Sequence, residues 1–148
     1  MGKAKTAKEK ILIVDDEQDT RDLLTEILKG GSYAVSAMSD GPSAIEEARK
    51  NPFNLAFVDL KMPGMDGIEV IKQIHKIDPD LMIILLTGYG TIDSAVRAMK
   101  AGAYDYITKP FQVDEILMTA GRALEHQRLQ TENTILKKTL ANRYKFEN

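Results

Sequence analysis

Short apolar runs of four to six residues, rich in Ile, Val and Leu, recur along this chain at 11–14, 55–58 and 81–86 between longer segments of helical period, with shorter interrupted stretches at 33–38 and 104–107. Runs that short do not sustain helices, and their near-continuous apolar character suits strands covered on both faces. The alternation therefore predicts βαβ units and a single parallel sheet. Strands are expected near 10–15, 33–38, 54–59, 82–87 and 104–107.

The intervening segments carry helix signals. Asp19 to Leu28 places Leu23, Leu24, Ile27 and Leu28 on one face, and Gly30-Gly31 supplies the stop. A second helix is expected to open at Ser39 or Asp40, with Pro42 tolerated in its first turn and Ala44, Ile45 and Ala48 against the sheet; Asn51-Pro52 ends it. The third runs from Ile68 to Ile77, with Ile68, Ile71, Ile74 and Ile77 at spacings of three, and stops at Asp78-Pro79. A fourth spans about Thr91 to Met99 and ends at Gly102. The last begins at Val113 or Asp114.

The 148 residues suffice for one α/β domain of about 120 residues with an appendage. There are no cysteines, which excludes a disulfide framework and a thiolate metal site. No run approaches a membrane span, and the Lys-rich start MGKAKTAKEK lacks the apolar core of a signal peptide, so a cytoplasmic location is expected. Residues 1–8 carry a net +3 and residues 121–148 a net +3, so the total of −2 leaves −8 for residues 9–120. An acidic body argues against direct nucleic-acid binding, which needs clustered Lys and Arg.

Chemistry concentrates where the apolar runs break off. ILIVDD ends in Asp15-Asp16, LAFVD in Asp59, IILLT in Thr87, and YITKP brings Lys109-Pro110. In a doubly wound sheet, ligands bind outside the carboxyl ends of the strands where strand order reverses. Three carboxylates at one strand edge repel each other unless a hard cation neutralises them, and an open carboxylate site suits Mg2+. The loop KMPGMDG carries successive turn signals in Pro63-Gly64 and Asp66-Gly67, which fold the chain back before the third helix, and Gly67 fits a helix start. Taken singly, an Asp pair reads as a helix cap and a lone Asp as a turn residue. Four such motifs in order are far more specific.

With Asp15-Asp16, Asp59 opening DLKMPGMDG, Thr87-Gly88 and Lys109-Pro110, the chain resembles the receiver domain of two-component response regulators, the CheY-like family, over about residues 9–125. The resemblance implies a doubly wound, five-stranded parallel sheet of order 2-1-3-4-5. It implies Asp59 as phosphoacceptor, Asp16 and Asp59 as direct Mg2+ ligands, Asp15 as a ligand through water, and the Lys61 backbone carbonyl as a third protein ligand. Lys109 would draw charge off the phosphoryl oxygens, with Thr87 and the Gly88 amide as further contacts and Tyr106 as the switch aromatic. A cis Lys109-Pro110 bond is also implied. Lys61 and Tyr89 occupy positions that flank the route of attacking water in this family, and their bulk would slow hydrolysis. His75 is expected to be solvated, and His126 carries no motif.

After Leu124 the chain continues with good helix formers and has neither Gly nor Pro from 122 onward, so the fifth helix is expected to run to about Leu140. Leu129, Asn133, Leu136 and Leu140 form a coiled-coil-like seam with Asn133 at an a position, which favours an in-register homodimer. The expected organisation is a basic tail at 1–8, a receiver at 9–122 and a helical linker at 123–148. The ending NRYKFEN resembles the lead-in to the AAA+ module of NtrC-type, sigma-54-dependent transcriptional activators. The chain contains no G-x-x-x-x-G-K-[ST], so an ATPase would lie beyond residue 148.

Three functions compete. The first is a phosphoacceptor switch, served by a sensor histidine kinase, that regulates an attached sigma-54 activator and dimerises through the fourth helix, fifth strand and fifth helix together with the extension. The second is a free-standing receiver that docks on a separate partner. The third, a haloacid-dehalogenase-like phosphatase, needs a second Asp two residues after its nucleophile, and both Asp59-Leu60-Lys61 and Asp15-Asp16-Glu17 fail that test.

Overall fold

The computed structural model describes residues 8–88 and 91–147, with backbone alone at 134, 138 and 141–147. Strands and helices alternate: β1 (Lys10–Val14), α1 (Gln18–Gly30), β2 (Ala34–Met38), α2 (Gly41–Lys50), β3 (Leu55–Asp59), α3 (Gly67–Ile77), β4 (Met82–Thr87), α4 (Ile92–Ala101), β5 (Asp105–Thr108) and α5 (Val113–Glu147). The sheet is parallel throughout with order β2-β1-β3-β4-β5, the expected order. Its direction of winding reverses at β1, between β2 and β3. The register pairs Val14 with Val58, so Asp15 and Asp59 follow side by side on neighbouring strands.

The apolar runs of β1, β3 and β4 are continuous because each of these central strands feeds two cores. Leu12, Val14, Ala56, Val58, Ile83 and Leu85 face α2 and α3, meeting Ile68, Ile71 and Ile74. The alternate residues Ile11, Ile13, Leu55, Phe57, Ile84 and Leu86 face α1 and α5, meeting Leu24, Leu28, Ile116 and Ala120. Side chains point to opposite faces with period two, so an acid that follows such a run emerges at the sheet's edge.

Side-chain caps set the starts of the middle helices. Asp40 accepts a hydrogen bond from Ser43 N at 2.8 Å, Asp66 from Glu69 N at 3.0 Å, and Thr91 Oγ1 from Ser94 N at 3.0 Å. Gly67 opens α3 where no side chain fits, since a Cβ there would run into the carbonyl oxygen of Asp59. That close approach seats the 60–66 loop on the end of β3.

Several local expectations are corrected. Leu23 is 45% exposed, because the contact of α1 with the sheet is narrower than its apolar stripe; Leu24, Ile27 and Leu28 carry the burial. At the end of α1 the left-handed residue is Ser32 (φ 73°) and not Gly31, whose φ is −86°. A Cβ on Gly31 would lie 2.9 Å from Leu117 Cδ2, so a larger residue there would displace the end of that side chain. The fourth helix extends to Ala101 before Gly102, at φ 123°, ends it. His75 is not solvated: it is half-buried against Gly102, with Nδ1 enclosed and without a hydrogen-bond partner.

The fifth helix passes Leu140 and continues to Glu147. Its root is tied to the end of the sheet opposite Asp15 and Asp59. Gln127 Nε2 donates to the carbonyl oxygens of Asn54 (3.1 Å) and Asp80 (2.8 Å), and Asn54 Nδ2 donates to Gln127 Oε1 at 3.3 Å. Arg128 Nη1 donates to Glu9 Oε2 at 2.8 Å, and His126 packs on Tyr104 with ring centroids 5.1 Å apart. Beyond Arg128 the apolar side chains of Leu129, Ile135, Leu136 and Leu140 are all more than half exposed. Among the described residues, no helix is long and apolar enough to cross a membrane.

Candidate functional site

Asp15, Asp16 and Asp59 meet at the carboxyl edge of β1 and β3, each offering an oxygen within 4.8 Å of the others. Asp15 is fully enclosed, and both its oxygens are engaged: Oδ1 accepts from Glu17 N at 2.9 Å and Oδ2 from Lys109 Nζ at 3.0 Å. Lys109 donates equally to Asp59 Oδ1 at 3.0 Å. Asp16 is exposed, and Asp59 retains 5% of its surface.

The end of β5 delivers the lysine. Lys109 N donates to the carbonyl oxygen of Thr87 at 2.7 Å, and the Lys109-Pro110 bond is cis as expected. Thr87 closes β4 in register with Thr108 and is almost completely buried. Asp16, Glu17, Asp59, Lys61, Thr87, Gly88 and Lys109 together line a cleft of about 290 Å³. A larger groove of about 580 Å³ lies beside it, lined by Lys61, Pro63, Ser94 and Arg97 among others; its one acid, Asp66, already caps α3. The chemistry therefore belongs to the smaller cleft. Tyr106 lies on β5, 42% exposed and apart from the cleft lining, while Tyr89 falls outside the described residues.

Two residues of this region were not singled out from the sequence. Glu17 Oε1 approaches Lys109 Nζ at 3.9 Å, and Arg21 Nη1 donates to the Asp15 carbonyl oxygen at 2.7 Å. A signal for Arg21 did exist. A cation near a helix N-terminus opposes the helix dipole, and this one sits six residues after an acidic strand end.

Electrostatics show a site short of positive charge. Burial pushes the Asp59 carboxyl up to about 6, the neighbouring Asp15 adds to the effect, and Lys109 offsets only part of it. Burial disfavours the charged Lys109, yet its bonds to Asp15 and Asp59 outweigh this and raise its pKa. Three convergent carboxylates, one with a raised pKa, form an all-oxygen donor set that fits a hard divalent cation.

Metal-free protein should report this strain directly. Folded Asp59 holds its proton more tightly than unfolded Asp, so stability falls as pH rises from the unfolded value near 4, and the cost is present in full above about 6. Asp59→Asn is expected to raise stability by about 1–3 kcal/mol at pH 7.5 in EDTA. At about pH 3.5, below the unfolded value, the gain should largely disappear. Urea unfolding at the two pH values measures it, and a gain independent of pH would contradict the charge assignment.

Fold and edge chemistry together define a doubly wound parallel α/β protein with an acid and lysine cluster at its switch point. The chain belongs to the response regulator receiver domain family, whose model matches residues 11–120. It is 39% identical over 119 residues to the transcriptional regulatory protein ZraR of Klebsiella oxytoca, covering 80% of this chain and 27% of that protein. It is 37% identical over 140 residues to the C4-dicarboxylate transport transcriptional regulatory protein DctD of Pseudomonas aeruginosa, covering 95% and 30%. Among solved structures, NtrX from Brucella abortus superposes with a TM-score of 0.84 at 36% identity, over 89% of this chain and 31% of that one. A CheY-like receiver domain protein from Methanospirillum hungatei gives 0.81 at 31%, over 84% and 99%. The chain thus spans less than a third of the length of ZraR, DctD and NtrX.

Proposed function

We propose that this domain accepts a phosphoryl group on Asp59 from the phosphohistidine of a sensor kinase and so switches an attached sigma-54-dependent activator. The observation that carries this reading is the shared hold of Lys109 on Asp15 and Asp59 beside Asp16. Asp16, Asp59 and the Lys61 carbonyl would hold Mg2+ directly and Asp15 through water. When bound, Mg2+ would neutralise charge on the transferring phosphoryl oxygens.

An Asp59 carboxylate oxygen attacks phosphorus as the phosphorus–nitrogen bond of the donor breaks, and the released imidazole takes a proton from solvent. An ionised carboxylate needs no general base. Lys109 supplies the fixed positive charge that remains when its bond to Asp59 is exchanged for one to a phosphoryl oxygen. Thr87 and the Gly88 amide line the cleft where further oxygens would lie, and Tyr106 on the adjoining strand would respond to movement of Thr87. The domain performs no turnover on a separate substrate beyond assisting its own phosphorylation and dephosphorylation.

Regulators about three times this chain's length, of which it matches less than a third, support an attached effector over a free-standing receiver. The free helical extension is counted from Leu129, since α5 is tied to the body through Arg128. A small-molecule phosphodonor tests the core of the reading. Phosphoramidate with Mg2+ should add one phosphoryl mass to the chain, and EDTA should prevent it; uptake unaffected by EDTA would reject the metal-assisted route.

A further inference from the structure

Arg21 lies outside the cleft lining, yet it holds the backbone from which two of the three carboxylates hang. Its Nη1 donates to the Asp15 carbonyl oxygen at 2.7 Å, and its Nη2 donates to Gln18 Oε1 at 2.8 Å. That carbonyl belongs to the planar peptide joining Asp15 to Asp16, so holding it fixes the direction in which Asp16 leaves the strand. The Asp15 side chain has its own restraints in Glu17 N and Lys109. The exposed Asp16 carboxylate depends on the clamped peptide to stay within 4.8 Å of its partners.

We infer that Arg21 is a positioning residue for the divalent cation: by fixing the Asp15–Asp16 peptide it aims the Asp16 carboxylate at the metal. The inference rests on reading the acidic cluster as a Mg2+ site. Its sign separates it from simple electrostatics. A guanidinium beside three acids repels an incoming cation, so on charge alone Arg21→Ala would bind Mg2+ more tightly. Loss of the clamp demands the opposite, because residues that orient metal ligands control affinity through geometry.

Calorimetric titration of Mg2+ into the metal-free, unphosphorylated chain tests this. Arg21→Ala is expected to weaken binding on the order of tenfold. Arg21→Lys, which keeps the charge and a donor nitrogen but loses the planar fork, should fall between Ala and the unaltered chain. The Asp16 amide resonance of both variants should also move in the absence of metal. Unchanged or tighter binding by Arg21→Ala would overturn the inference, as would a Lys variant no better than Ala. Should Arg21→Ala fail to fold, unaltered affinity in Arg21→Lys would overturn it equally. If the unaltered chain bound no Mg2+, the reading of the cluster would fall and the inference with it.

Discussion

Asp59→Asn and Asp59→Ala are expected to take up no phosphoryl group from phosphoramidate and Mg2+, whereas the unaltered chain should gain one, as read by intact mass. Geometry singles out Asp59 among the three acids. Asp15 is fully enclosed, with both oxygens engaged by Glu17 N and Lys109, and it does not line the cleft. Asp16 lines the cleft but stands exposed, without the lysine contact that would offset charge on a transferred group. Asp59 combines access from the cleft, a bond to Lys109 and a pKa raised to about 6. The raised value, which belongs to the metal-free site, still leaves it mostly ionised at neutral pH. A full mass gain retained in both variants would place the phosphoryl group elsewhere.

Removal of residues 129–148 is expected to convert a dimer into a monomer in sedimentation. Leu129, Leu136 and Leu140 are 54, 59 and 51% exposed, and Ile135 adds 58% beside them, too much apolar surface for a helix that stays alone. Each Leu enclosed by pairing would contribute about 2–3 kcal/mol. Asn133 at the intervening a position would favour an in-register pair. The cut falls after Arg128 because His126, Gln127 and Arg128 belong to the packed body, and a cut at 126 would damage the body as well as the seam. A monomeric full chain at high concentration would overturn the pairing. Phosphorylation of Asp59 should alter the dimer's population or geometry, and identical sedimentation and scattering before and after would make the extension a passive tether.

Much of this molecule is legible from local patterns because the decisive signals are themselves local. A strand covered on both faces reads as an unbroken apolar run, and an acid that ends such a run has only the sheet's edge to occupy. The positions of β1, β3 and β4 and the placing of Asp15, Asp16, Asp59 and Thr87 at the sheet's edge followed from that, with the order 2-1-3-4-5, and so the meeting of these residues with Lys109, supplied by the family likeness. Features that depend on distant chain were not legible. Gln127 meets a residue 73 positions away and Arg128 one 119 positions away, and nothing in LEHQRLQ marks either. His75 was misread because its polar neighbours in sequence say nothing of Gly102, which leaves the space it fills. Arg21 was passed over because an Arg on a helix is ordinarily a solvated charge.

The root of α5 turns the extension into a pointer. Residues 129–147 continue one unbroken helix from His126, Gln127 and Arg128, and at 1.5 Å per residue they reach about 28 Å past the sheet. A rotation of ten degrees at the clasp would sweep the tip through about 5 Å, close to one helical turn. The receiver need not rearrange visibly to speak to whatever follows it. A displacement too small to disturb the packing around Gln127 would be enough, at the far end of that arm, to carry the tip sideways by about the pitch of a helix.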